Sequence, residues 1–129
     1  MSAGPNVQVR NVRQVRASID ALDPTGGAAC EVLFAHGSGT TGTTALVAAV
    51  TGKKIRVLSA WFCGAATNSI TLDSASTALT PAIPCTTAGQ YVTNLDFGLC
   101  QTAKSEALNA VPGGTGAYDI TVAYILVQA

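Results

Sequence analysis

From Thr51 to Ile83 the chain reads TGKKIRVLSAWFCGAATNSITLDSASTALTPAI, and the order of its apolar and polar positions describes a meander of β-strands. Side chains alternate along a strand. Ile55, Val57, Ser59, Trp61 and Cys63 therefore fall on one face of the first strand, and Lys54, Arg56, Leu58, Ala60 and Phe62 on the other. After a Gly-Ala-Ala-Thr-Asn turn, Ile70 and Leu72 oppose Ser69, Thr71 and Asp73, the pattern of a strand with one dry and one wet face. A third strand follows before Ile83.

The same reading extends to both sides. Cys30 to Ala35 is a short strand with Val32 and Phe34 on one face, and His36 to Gly42 (HGSGTTG) is a polar loop. Thr43 to Val50 is rich in Thr, Val and Ala, which favours a strand over a short helix. Gln90 to Leu99 sets Tyr91, Thr93, Leu95 and Phe97 against Val92, Asn94 and Asp96. Glu106 to Val111 is a further short strand, Pro112 to Gly116 a loop, and Tyr118 to about Gln128 the last strand. There Ile120, Val122, Tyr124 and Leu126 line one face while Ala123, Ile125 and Val127 make the other apolar too, so both faces need cover, from a neighbouring subunit or from a loop. About eight strands with turns every ten residues or so predict an all-β, jelly-roll-like antiparallel sandwich.

Ahead of it, residues 1 to 22 form an extended arm, with residues 23 to 129 as the sandwich domain. Arg10, Arg13 and Arg16 stand in the first nineteen residues without a single acid. Val7 and Val9 alternate with Gln8 and Arg10, then Val12 and Val15 break the register. The segment reads as a solvated edge strand or as a basic tether for an acidic neighbour.

Composition adds one expectation about assembly. Charged residues make up 11% of the 129, against roughly 25% in an average soluble protein, and 48% are apolar. Such a surface suggests cover by another subunit. Seven basic residues balance seven acids, so the whole chain has no field to draw nucleic acid or an anionic membrane, and neither is expected as a partner. The first residues lack an apolar run of signal-peptide length, and no stretch reaches the roughly 20 apolar residues of a membrane helix. Synthesis in a cytosol is the expectation.

Candidate chemistry is sparse. Cys30, Cys63, Cys85 and Cys100 contain no Cys-x-x-Cys pair, and His36 is the lone histidine, so no metal site is expected. The thiols read as buried and reduced, with later disulfides open and three full pairings undecided. Gly37-Ser38-Gly39-Thr40-Thr41-Gly42 matches G-x-G-x-x-G, yet the next acid is Asp73 and no Gly-Lys-Ser/Thr ends the loop. A nucleotide cofactor is therefore not expected. His36 and Ser38, two apart in a loop, do not make a nucleophile and base, and the pairing of Asp20 with Asp23 beside a turn is structural. Catalytic residues are expected to be absent. Trp61 and Phe62 are either core or a sugar-stacking platform, one of the two facing inward. Arg56, between Ile55 and Val57, belongs at an interface or beside an acid.

The strings GKKIRVLSAWFCGAATNSITLDSASTALTPAI, AKSEALNAV and AYDITVAYILVQA resemble small jelly-roll proteins encoded among the structural genes of tailed bacteriophages. The resemblance covers about Thr43 to Ala129 and marks strands and turns rather than a catalytic site. It implies a non-enzymatic capsid decoration (cement) protein, made in the host cytoplasm and carried on the outer surface of the virion head. Such proteins are often trimers at three-fold positions of the shell. Under that reading the major capsid protein and the chain itself are the partners. Arg10, Arg13 and Arg16 would contact an acidic capsid surface, and Tyr124, Ile125 and Leu126 would form the trimer or core seam. The alternative is a head-fibre, spike or tail-associated module that recognises a host glycan or protein through loops, with His36, Ser38 and Thr40 in the first of them.

Overall fold

The computed structural model describes residues 31–95 and 97–128. Ten strands follow one another: β1 (Leu33–Gly39), β2 (Thr44–Val47), β3 (Lys53–Gly64), β4 (Ser69–Ser74), β5 (Thr77–Ala78), β6 (Ile83–Pro84), β7 (Gln90–Thr93), β8 (Cys100–Gln101), β9 (Leu108–Pro112) and β10 (Tyr118–Gln128). All pairings are antiparallel. One sheet has the order β1-β10-β3-β7, with β8 also on β3; the other has β2-β9-β4-β5, with β6 also on β4. The two pack face to face as a jelly-roll-like sandwich. The expected eight strands become ten because two segments are interrupted, β5 from β6 and β7 from β8. The arm, with Arg10, Arg13 and Arg16, lies outside the described residues.

Between the sheets, Ile55, Val57, Ala60 and Phe62 from β3 meet Ile70 and Leu72 from β4, Leu108 and Ala110 from β9, and Tyr118, Ile120 and Val122 from β10. Strand β10 keeps strict alternation, so Tyr124 and Leu126 continue onto this core. Ile125 and Val127 point to the opposite face, where they are buried together with Leu58.

Strand β3 does not keep the expected alternation. Ser59 pairs with Ala123 and Val57 with Tyr124, which leaves Leu58 as an extra residue. This β-bulge shifts the phase by one, so Ile55 and Val57 share the core face with Ala60 and Phe62 instead of opposing them. The bulge also explains why 90–101 is two strands. Strand β7 pairs with Ser59 to Phe62 and β8 with Arg56 and Val57. Between them the chain turns away: the Leu58 carbonyl accepts from Asn94 N–H (2.9 Å), and the Val57 carbonyl from Leu99 N–H (2.6 Å). Asn94 Oδ1 accepts from Phe97 N–H at 3.1 Å, an Asx-type turn completed by Gly98 at φ +87°. Leu95 and Phe97 thus sit in an exposed turn and not on a strand face.

The first strand also departs from expectation. It runs from Leu33 to Gly39, so His36 and Ser38 are strand residues, and only Thr40 begins the bend that follows. A Cβ on Gly37 would meet Leu46 Cδ2 and Thr44 Cγ2 at 2.7 Å. Glycine here permits close approach of β1 to β2 and does not open a phosphate loop.

Candidate interaction surface

Two places on the sandwich gather the exposed or polar side chains that could act on another molecule. The first is the end where three connections meet around Asn68, which is 3% exposed. Its Nδ2 donates to the carbonyls of Thr40 (3.0 Å) and Gly116 (2.8 Å). Its Oδ1 accepts from the N–H groups of Ser69 (2.8 Å) and Gly114 (3.0 Å). One amide therefore saturates its hydrogen-bonding capacity while joining the β1–β2, β3–β4 and β9–β10 connections. Beside it, the hydroxyls of Thr44 and Tyr118 are 2.7 Å apart, and Tyr118 OH donates to the Gly42 carbonyl at 3.3 Å. A Cβ on Gly114 would fall 2.1 Å from the Thr67 carbonyl oxygen, so this loop passes too close for any side chain. Of the two loops expected to be recognition elements, 36–42 and 112–116, the parts that lie outside the strands, 40–42 and 113–116, are brought together here and held rigid.

The second place is the outward face of the β1-β10-β3-β7 sheet. Its residues can be read from the register. One row runs Phe34, Ala123, Ser59, Thr93 and the next His36, Thr121, Trp61, Tyr91. Beyond it, Ser38 lies opposite Asp119, which lies opposite Cys63. Phe62 is core and Trp61 is outside, 42% exposed, so the aromatic pair divides as alternation requires. Trp61 stacks on Tyr91 with ring centroids 4.9 Å apart and planes inclined by 31°, the tilted contact that aromatic quadrupoles favour. Next to these rings is an open cleft of about 440 Å³ whose walls include His36, Asp119, Thr121 and Gly89.

His36 Nε2 lies 3.3 Å from Asp119 Oδ1, and both side chains are more than half exposed. Water screens such a pair, so it contributes little to stability. His36, Ser38 and Asp119 share one side of the sheet, an arrangement that two-residue spacing on a strand produces and a loop would not. Toward the far end of the same face, Arg56 donates from Nε to Gln101 Oε1 at 2.7 Å, and its partial burial lowers its pKa from the ordinary guanidinium value.

Among the described residues, Val32, Phe34, Trp61, Tyr91, Val92, Leu95 and Phe97 are the large apolar side chains left exposed. All of them belong to this sheet or to its flanking connections. The other sheet has none. Of the expected seam, Ile125 is on this outward side and fully buried, whereas Tyr124 and Leu126 turn inward.

Cys63, Cys85 and Cys100 are free thiols, Cys85 buried and the other two half-buried; Cys30 lies outside the described residues. Burial raises the Cys85 pKa, with a smaller contribution from nearby Cys63, and pushes Cys100 up to about 11. Both thiols stay protonated in the fold while the unfolded chain ionises near pH 9. For Cys100 this stabilisation is complete below about pH 9 and is lost as pH rises toward about 11, at up to about 1.4 kcal/mol per pH unit. Denaturant titrations at pH 8 and pH 10.5 should show this loss, and substitution of Cys100 by Ser should shrink it. A loss equal in the Cys100→Ser protein would contradict the assignment.

No family model matches the chain, and no curated protein matches it in sequence. Solved structures with a similar course of chain include the extra small virus particle of the giant freshwater prawn Macrobrachium rosenbergii, at TM-score 0.41 and 9% identity over 80% of this chain and 81% of that one. The insecticidal delta-endotoxin Cry8Ea1 of Bacillus thuringiensis matches at TM-score 0.38 and 14% identity over 79% of this chain, which spans only 20% of the toxin chain. A Bacillus endospore appendage protein, from disulfide-linked pili, matches at TM-score 0.34 and 15% identity, covering 81% of this chain and 96% of that one. With TM-scores below 0.5, these likenesses carry no inference about function.

Proposed function

We propose that this chain is a non-enzymatic structural protein of a virion, a capsid decoration protein that binds the outside of an assembled phage head as a homotrimer. The observation that carries this reading is the division of the sandwich surface. One sheet is wet outside, while the other leaves the aromatic side chains of Phe34, Trp61 and Tyr91 exposed on its outward face. Such a face fits cover by protein. The loops at one end are tied by a saturated buried amide, which suits a rigid part more than a moving one. The resemblance of Thr43 to Ala129 to phage jelly rolls supplies the particle, and Arg10, Arg13 and Arg16 supply a basic contact for the major capsid protein.

A decoration protein that binds the assembled lattice and not free subunits stabilises the lattice by mass action, by about 2.7 kcal/mol per site at a hundredfold excess over Kd. Heating expanded, undecorated shells with and without the protein tests this. The shell transition is expected to move up and to saturate with added protein. An unmoved transition at saturating protein would overturn the proposal.

A second reading is favoured by one feature, the exposed Trp61–Tyr91 pair beside an open cleft with His36 and Asp119. Aromatic rings flanked by polar groups suit a host-surface glycan. In that reading the recognition element is the sheet face, with His36 and Ser38 on it and Thr40 at its end.

A further inference from the structure

We infer that the cleft beside Trp61 and Tyr91 is a binding site for a neutral sugar, the uncharged pyranose end of a glycan, and that it turns acidic sugars away. The inference rests on the second reading above, deepens it by naming the class of sugar, and leaves shell contact to the basic arm. Two rows of the outward sheet face build the cleft. The first runs His36, Thr121, Trp61, Tyr91 across four strands, and the second Ser38, Asp119, Cys63. Trp61 and Tyr91, stacked and about half exposed, stand as one wall. Thr121 and Cys63 are short side chains beside them, and the turn 86–89 bounds another side. That turn is held in place. The Thr86 carbonyl accepts from the N–H groups of Gly64 (3.0 Å) and Gly89 (3.2 Å), and Gly89 takes φ +91°, a conformation that suits glycine alone. The space, about 440 Å³, is that of a small-ligand site.

A pyranose carries C–H groups on its ring faces and hydroxyls around its rim. Its face meets the aromatic wall as apolar surface, and its hydroxyls, which both donate and accept, meet the polar side chains. Asp119 offers carboxylate acceptors, His36 a ring nitrogen 3.3 Å from Asp119 Oδ1, and Thr121 a hydroxyl. Charge decides which sugar. With His36 neutral the His36–Asp119 pair is anionic, and with His36 protonated it is balanced, so neither state leaves a surplus cation for a sialate, uronate or sulfate. The described basic residues, Lys53, Lys54, Arg56 and Lys104, gather at the opposite end of β3, where Ser105 N–H donates to the Lys53 carbonyl at 2.9 Å. Arg56, the nearest of them along the strand, is roughly 15 Å from Trp61. An anionic sugar would therefore meet Asp119 without a compensating charge, which rejects a wrong partner by repulsion.

An amide chemical-shift titration of the full chain tests this, with lactose, cellobiose and maltose as neutral probes and sialyllactose and cellobiouronic acid as acidic ones. The emission of Trp61, the sole tryptophan, is followed in parallel. Expected are saturable shifts at Trp61, Thr121 and Gly89 with at least one neutral disaccharide, at millimolar Kd because an open cleft covers one side of the sugar only. The acidic probes should bind about tenfold more weakly. Trp61→Ala and Tyr91→Ala should each weaken neutral binding about tenfold while the cooperative melt persists. Phe97→Ala, in a turn off this face, should leave binding unchanged. Asp119→Asn should narrow the gap between neutral and acidic probes, which loss of a ring does not do. Acidic probes that bind as tightly as neutral ones would overturn the inference and leave the glycan reading standing. No shift with any probe at tens of millimolar, or shifts confined to residues outside the cleft, would overturn both.

Discussion

Replacing Asn68 with Leu is expected to destabilise the sandwich by about 4 kcal/mol, the largest loss from any single polar side chain described. The residue is 3% exposed and makes four hydrogen bonds, all to backbone groups, in the β1–β2 and β9–β10 connections and at the first residue of β4. Each such bond contributes about 1 kcal/mol, and each orphaned partner that stays dry costs more. The melting temperature should fall by roughly 10–20 °C. Asn68→Asp separates the two halves of the argument. Its carboxylate keeps the acceptors for Ser69 and Gly114 but sets an anionic oxygen against the carbonyls of Thr40 and Gly116. The folded state then favours the protonated acid, its pKa is raised, and the variant should regain stability relative to wild type as pH falls from 7 toward roughly 4. Parallel melts of the three proteins at both pH values check this. A Leu variant within 1 kcal/mol of wild type would show that the loops do not depend on this amide.

Deleting residues 1 to 19 is expected to reduce attachment to shells by about a hundredfold or more and to leave a folded oligomer. The deletion removes Arg10, Arg13 and Arg16 and no acid; the remaining chain has four basic residues against seven acids. An acidic capsid surface would therefore attract the arm and repel the body. In a trimer three arms engage together, and losing them removes an avidity that reaches 10²–10⁴. The contact is electrostatic, so attachment of the intact protein should weaken with added salt. All ten described strands lie after residue 32, and a cooperative melt and an oligomer that survive the deletion are the expected result. Attachment unchanged by the deletion would remove the function assigned to the arm.

The strands that sequence predicts well are those whose alternation stays in phase from end to end. In β4 Ile70 and Leu72 are buried while Ser69, Thr71 and Asp73 are half-exposed, and β10 runs its full length with Tyr118, Ile120 and Val122 inward. Strand β3 misleads because Leu58 is as apolar as its neighbours, and no residue type there signals the bulge that reassigns Ala60 and Phe62. The turn that divides β7 from β8 did carry a signal, Asn94 followed by Gly98, which the alternation of Tyr91, Thr93, Leu95 and Phe97 outweighed. Gly37 and Gly39 look like loop residues in a polar string, yet they lie on a strand because a neighbouring strand leaves no room for Cβ at Gly37. Of the candidate site, Trp61 facing outward follows from Phe62 facing inward. Its stacking on Tyr91, the proximity of His36 to Asp119 and the reach of Asn68 across three loops depend on contacts 28 to 83 residues apart in the chain, and no local pattern encodes them.

The decoration role is tested most directly by co-sedimentation of the purified full-length protein with expanded, undecorated phage heads, reading the number of chains bound per shell position. Saturable binding at three chains per three-fold site is the expected result. Free protein left in the supernatant at every concentration would contradict the account.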